Sequence, residues 1–424
     1  MPSFRPTLPQ ADGRPLQCSR LRRFMHRCAP LLTPAVLAAA LGCREPAATP
    51  TGPDIEPALA TGAATAALAF NQLSVSIHRT CGVTTDNRAY CWGGNDGGAL
   101  GTGTSKPIDD YTTTPVAVVG GLNFRQVSVG TFYTCGLATD DRAYCWGGNL
   151  LAQLGDGTRT LRKQPVAVAG GRRFRQLDAG EQHTCAVTFT DVAFCWGDNT
   201  HGQLGDGTVH GPLVPVRVAG GRRFRRVLAG DSHTCALTPD DRAYCWGDNS
   251  FGQLGDGTTT QRLVPAKVLG NHLFPRLSAG GFHSCGVTSD GRAYCWGRNR
   301  YGALGTGNTD RQVKPAAVQG GLRFNGANAG HEYTCGVTTS DLAYCWGLNH
   351  SGRLGDGTGI TRLLPVPVAG GLHFGGVTTN VNGFYTCGLT TGKRAYCWGD
   401  NSIGQGGNGT TTLSLTPVAV VGPM

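Results

Sequence analysis

The sequence predicts an all-β fold, one closed domain built from seven repeated four-stranded units. Three observations carry this. A pair of cysteines ten residues apart, the second followed at once by tryptophan, occurs seven times at intervals of 50 to 54 residues, and a period of that length points to a solenoid or a propeller. Each copy holds short apolar, β-branched and aromatic runs broken by turn residues. Glycine supplies 66 of the 424 residues, about twice its usual share and without a three-residue period, which suits many tight turns and excludes collagen.

The chain starts outside the repeats. From Met25 it reads MHRCAPLLTPAVLAAALGC, a short basic start, an apolar run from Ala29 to Leu41 and small residues before Cys43. This is the order of a secretory signal, and the run is too short to remain as a membrane-spanning helix. Translation is expected to begin at Met1 or at Met25. Ala40-Leu41-Gly42-Cys43 resembles the lipobox of bacterial lipoproteins, which implies lipidation at Cys43 and a membrane-anchored protein of the cell envelope; simple secretion after cleavage nearby is the alternative. Residues 1–43 are therefore read as a signal peptide. Residues 44–66, rich in Pro, Ala and Thr, read as a flexible tether, and residues 67–424 as the repeat domain. The formal charge of +10 halves once the leader is removed, because Arg5, Arg14, Arg20, Arg22, Arg23 and Arg27 face only Asp12 upstream of Cys43. No nucleic-acid partner is expected.

Within one repeat, His233 to Thr238 and Arg242 to Gly247 flank Pro239-Asp240-Asp241, so they read as a β-hairpin. Symmetry about Asp240 sets Cys235 opposite Cys245, within reach of a disulfide. The same spacing recurs in six more pairs: Cys81 with Cys91, Cys135 with Cys145, Cys185 with Cys195, Cys285 with Cys295, Cys335 with Cys345, and Cys387 with Cys397. Zinc sites want closer cysteines or interleaved histidines, so seven hairpin disulfides are expected and no metal, and fourteen paired cysteines suit an oxidising compartment. Alternation puts Tyr244 and Trp246 on one face of their strand and Ala243 and Cys245 on the other; both faces are apolar, so neighbouring units should cover both.

Upstream, Pro215-Val216-Arg217-Val218 and Phe224-Arg225-Arg226-Val227 flank Gly220-Gly221, which reads as a second hairpin. The unit is then four-stranded in the order PVxV, FRxL, HTCALT, RAYCWG. The first unit lacks a PVxV strand, and the chain ends with an unattached Pro417-Val418-Ala419-Val420-Val421. That last strand is expected to complete the first blade and lock the ring.

The run G-x-x-H-T-x-A-L-T-x-D-x-R-A-Y-x-W-G-x-N-x-x-G-Q-L-G resembles the repeat of the regulator of chromosome condensation family, over about Phe70 to Val421. The resemblance implies a seven-bladed β-propeller. It also brings guanine-nucleotide exchange on a small GTPase, the activity of the family's founding eukaryotic member, as an alternative function. The connections between units here are short and nearly uniform, with no long inserted wedge to displace a nucleotide.

Two residues before the first cysteine of each pair stand Arg79, Tyr133, His183, His233, His283, Tyr333 and Tyr385. One ring position filled by three residue types is expected to bond a neighbouring blade and not to hold a metal. The Gly-Asp-Gly-Thr segments with Asp156, Asp206, Asp256 and Asp356 lack the alternating acids of a calcium loop and read as turns. One asymmetry stands out: Arg172, Arg173, Arg175, Arg222, Arg223, Arg225 and Arg226 crowd two adjacent units. They form a candidate patch for a protein or an anionic polymer. Sequence variation also concentrates after each GQLG segment, in loops expected to share one face. There is no nucleophile elbow, metalloprotease motif or P-loop. The expectation is a monomeric, non-enzymatic, extracytoplasmic binding scaffold without a cofactor.

Overall fold

The computed structural model describes residues 68–106 and 110–423. Cys43, with the expected signal peptide, lipidation site and tether, lies outside the described residues. Seven four-stranded antiparallel sheets follow one another around a ring, and almost no helix is present among the described residues. In the first blade the strands are Phe70–Val75, Arg79–Thr84, Ala89–Gly94 and Tyr111–Ala117; in the fourth, Arg226–Ala229, His233–Leu237, Ala243–Gly247 and Arg262–Lys267; in the seventh, Phe374–Thr378, Tyr385–Thr390, Ala395–Gly399 and Ser414–Ala419. The first strand of every blade lines a central channel of about 300 Å³.

The central hairpin has the expected register in every blade, with the two cysteines directly opposite each other. All seven expected pairs are disulfides, with Cα atoms 4.0–4.1 Å apart. Cys81 is bonded to Cys91, Cys135 to Cys145, Cys185 to Cys195 and Cys235 to Cys245. In the last three blades Cys285 is bonded to Cys295, Cys335 to Cys345 and Cys387 to Cys397. Tyr244 and Trp246 pack in the core shared with the third blade, whereas Ala243 and Cys245 pack in the core shared with the fifth. The third strand is thus covered on both faces.

The strand order within a unit differs from the expected one. Val216–Arg217 pairs with Ala193–Gly197 of the third blade, not with the strand that follows Gly220-Gly221. Each PVxV strand closes the blade before it, on the outer edge, where a proline costs no ladder hydrogen bond. The two glycines do take positive φ, 83° and 65°, but they carry the chain from the outer edge of one blade to the inner strand of the next.

The predicted closure fails for the same reason. Ser414–Ala419 pairs with Ala395–Gly399 and completes the seventh blade, while Tyr111–Ala117 completes the first. Among the described residues no strand is shared across the seam. The seam between the seventh and first blades is held as the other interfaces are. Phe70, Leu73, Val75, Tyr90 and Trp92 pack against Tyr385, Cys387, Ala395, Cys397 and Val420. The Phe70 N–H donates to the Lys393 carbonyl at 3.0 Å, as Phe124 does to Asn87 and Phe224 to Asp191.

The G-x-x-G segment after the third strand makes the other half of each interface. It joins the third strand to the fourth within one blade, yet it packs on the tryptophan of the next. Gly255, at φ 67°, sits so close to the indole of Trp296 that a Cβ there would lie 2.6 Å from Nε1. Gly101, Gly155, Gly205, Gly305, Gly355 and Gly407 repeat this against Trp146, Trp196, Trp246, Trp346, Trp398 and Trp92. The Trp296 indole and the Ser284 hydroxyl both donate to the Gln253 carbonyl, at 3.0 and 2.9 Å.

Candidate functional site

Antiparallel strands sort the connections to two ends of the ring. The hairpin turns and the Gly-Gly crossings emerge at one end, here the turn end. The loops after the first and third strands emerge at the other, the loop end. The variable segments after GQLG therefore share one face, opposite the arginine-rich crossings.

Most of the regular polar positions are structural. His183 Nε2 bonds Thr234 Oγ1 at 2.8 Å, His233 Nε2 bonds Ser284 Oγ at 2.9 Å and His283 Nε2 bonds Thr334 Oγ1 at 2.8 Å, each in the next blade. Tyr133 donates to the His183 carbonyl, Tyr333 to the Tyr385 carbonyl, and Tyr385 bonds Thr80 across the seam. Arg79 donates to Gly94 and Thr131 carbonyls. All seven side chains are fully buried. Burial holds the histidines neutral, with pKa values lowered to about 4, about 4 and about 3 in chain order. The Gly-Asp-Gly-Thr segments are turns: Asp156, Asp256 and Asp356 accept from the following Thr N–H groups and pair with Arg162, Arg262 and Arg362 at 2.7–2.9 Å.

The seven arginines do not form one patch. Arg175 pairs with Asp191 at 2.7 Å and donates to the Arg225 carbonyl; Arg225 pairs with Asp241 at 2.5 Å and donates to the Pro275 carbonyl. Arg125 does the same with Asp141 and the third blade, so these are inter-blade staples. Arg226 points into the channel. Four guanidinium groups remain exposed at the turn end, Arg172, Arg173, Arg222 and Arg223. Arg172 lies 4.5 Å over the Phe194 ring and Arg222 4.4 Å over Tyr244, while Arg223 donates to the Thr190 carbonyl at 2.7 Å. Ring stacking and that bond fix three of the four charges in place.

The channel shows what the repeat count concealed. Along its wall Gln72, Gln126 and Gln176 each span to the next blade. The side-chain amides donate to the Val127, Leu177 and Val227 carbonyls and accept from the same residues' N–H groups. The same position holds Arg226 and Arg276 in the fourth and fifth blades and Gly326 and Gly376 in the sixth and seventh. Deeper in the channel, Asp178 accepts from Ser128 Oγ at 3.1 Å and from the Ala229 N–H at 3.0 Å. Burial raises its pKa to about 6 despite these bonds and nearby Arg226. Aligning the seven FRxL strands with one another would have exposed the Gln-to-Arg-to-Gly series; reading for charge density alone put Arg226 in the patch and left Arg276 out of it as one of the sparser charges of the other units.

At the loop end Asp231 lies against Glu181, and burial together with that carboxyl pushes the Asp231 pKa well up. Nearby, His331 sits between Phe282 and Phe384, and Arg353 lies 4.7 Å over the Phe384 ring.

A family model described as RCC1-like domain matches residues 39–388. The human "Probable E3 ubiquitin-protein ligase HERC6" is 29% identical over 90 residues, which are 21% of this chain and 9% of that much longer protein. Yeast RCC1 (Prp20), in its structure with Kap60, superposes with a TM-score of 0.69 at 17% identity, over 88% of this chain and 91% of the other. Human WBSCR16 superposes with a TM-score of 0.68 at 18% identity, over 74% of this chain and 86% of the other. With seven such repeats in one ring and a family model spanning most of the chain, this protein belongs to the RCC1-like domain family.

Proposed function

We propose that this propeller is a non-enzymatic binding scaffold, exported and held at the cell envelope through Cys43, that contacts an acidic protein surface or anionic polymer with its turn end. The observation that carries this reading is the set of four exposed arginines on two adjacent crossings, three of them pre-ordered by ring stacking or a backbone bond. Groups already fixed in place lose less freedom on binding. Seven buried disulfides support export, since reduced compartments rarely keep such bonds. Protein binding also has a precedent in the yeast relative seen with Kap60.

The test is retention of binding partners by the envelope-displayed protein, with Arg172, Arg173, Arg222 and Arg223 reversed to Glu. Loss of partners that the wild type retains, with unchanged thermal stability, is expected; equal retention by the reversed protein refutes the turn-end reading. Guanine-nucleotide exchange is the competing function, favoured only by the family's fold, and accelerated nucleotide release from a small GTPase would establish it. Mass spectrometry of the mature protein checks the anchor: a diacylglycerol-modified Cys43 at the N-terminus is expected, and an intact leader overturns export.

A further inference from the structure

We propose that a crevice at the turn-end mouth of the channel, between the fourth and seventh blades, is a binding site for a small oxyanion, a carboxylate or a phosphate. The crevice has a volume of about 200 Å³ and is lined by Arg226, Arg276, Asn325, Gly326, Asn328 and Gly376, among others. Its origin is the substitution series on the inner strands. In the first three blades a glutamine seals the gap to the next blade with two hydrogen bonds. Gly326 and Gly376 leave that space open, and a Cβ at either would meet nothing within 4 Å.

The two residues between sealed and open blades are both arginines. Among the described residues neither guanidinium has a carboxylate within ion-pairing distance. Arg226 is the more telling of the two. Its side chain is largely buried, and its Nε is fully shielded from solvent with no acceptor. A buried charged donor without a partner costs free energy, and the exposed Arg276, which lines the same crevice, adds a second positive charge that repels Arg226. An oxyanion between them would offset the repulsion and accept charge-assisted hydrogen bonds from the outer guanidinium nitrogens that face the crevice. The one acid that acts on Arg226, Asp178, attracts it more strongly than Arg276 repels it, but Asp178 accepts from Ser128 and Ala229 and forms no ion pair with either guanidinium.

This site is separate from the exposed arginines of the proposed partner surface, and the experiment keeps the two apart. Binding of inorganic phosphate and of succinate to the disulfide-intact protein is measured by titration calorimetry at low chloride. A dissociation constant of about 1 mM or tighter is expected for at least one probe. Arg226→Gln and Arg276→Gln, which restore the residue of the first three blades and so should fold, are each expected to weaken it at least about tenfold. The Glu reversal of Arg172, Arg173, Arg222 and Arg223 should leave it within about twofold. A hexaglutamate arm distinguishes the source: competition with phosphate identifies acidic side chains of a polypeptide as the ligand, and binding of the small probes alone identifies a free anion. Absence of binding by the wild type, or affinity unchanged in Arg226→Gln, overturns the proposal.

Discussion

Lowering the pH from 7 to 5 should destabilise this propeller through three buried histidines. His183, His233 and His283 are fully buried, and each spends Nε2 on the next blade while its Nδ1 finds no partner. A proton added at Nδ1 would be an unpaired buried charge. Burial therefore lowers their pKa values to about 4, about 4 and about 3, against about 6.5 in an unfolded chain. The sign follows from linkage. Above pH 6.5 both states hold neutral imidazole and the groups are silent. Below it the unfolded chain takes up protons that the folded one refuses, and stability falls until the folded values are reached. At pH 5 each site has lost about 2 kcal/mol relative to pH 7, or about 6 kcal/mol for three independent sites. That is of the order of a domain's entire net stability.

Other groups titrate too. His331 acts in the same direction, whereas Asp178 and Asp231, whose pKa values burial raises, act in the opposite one. The assay is therefore a double difference. Chemical unfolding of the wild type and of His183→Tyr/His233→Tyr/His283→Tyr is compared at pH 7 and pH 5, with disulfides intact. Tyrosine fills the same position in Tyr133 and Tyr333, with a glycine three residues upstream in Gly130 and Gly330 as in Gly180, Gly230 and Gly280. The triple variant should lose about 6 kcal/mol less than the wild type between the two pH values. Equal losses, or resonances assigned to His183, His233 or His283 titrating near 6.5 in the folded protein, would refute the reasoning.

Three further outcomes follow from the same interfaces. Gly255→Ala should cost about 2 kcal/mol or more, because the Cβ meets the Trp296 indole at 2.6 Å at a positive φ; Gly220→Ala, also at positive φ but with nothing within 4 Å, should cost clearly less in the same denaturant titration. Removing one bridge as Cys235→Ser/Cys245→Ser should lower stability by about 3 kcal/mol in the chain-entropy picture, and the non-reduced wild-type chain should weigh fourteen hydrogens less than the reduced one. Arg175→Ala, which deletes the Asp191 pair and the bond to the Arg225 carbonyl, should cost about 1 to 2 kcal/mol in thermal or urea unfolding.

The hairpin around Cys235 and Cys245 was legible because turn residues and strict alternation fix a register locally, and a one-residue slip would turn Trp246 to the wrong face. The phase of the repeat was not. Pro215-Val216-Arg217-Val218 is an edge strand from its proline, but a proline fits either edge of a blade, and Gly220-Gly221 imitates a hairpin turn. What decides the pairing is the stretch from Asp248 to Gln261, which looks like an inter-unit linker. Its length is used to reach the next blade's Trp296 and return, so it belongs inside a blade. The arginine patch was misread for a related reason: charges adjacent in sequence alternate in direction along a strand, so Arg225 and Arg226 of one FRRV run go to a staple and to the channel.

The repeated interface bonds also explain why the channel wall is free to vary. Every seam has the tryptophan under a neighbouring glycine and the phenylalanine N–H on the preceding turn. Among the described residues only three seams have the glutamine bridge, and the seventh-to-first seam closes without it on the same packing and hydrogen bonds as the others. The bridge is thus an addition to an interface that already holds. Replacing it with Arg226, Arg276, Gly326 and Gly376 sacrifices two hydrogen bonds per seam and leaves the ring intact, at the cost of an orphan guanidinium donor. A sequence that lines an open crevice with two arginines lacking a carboxylate partner, when glutamine one blade away shows the stable solution, is accounted for most directly by an anion that binds between them.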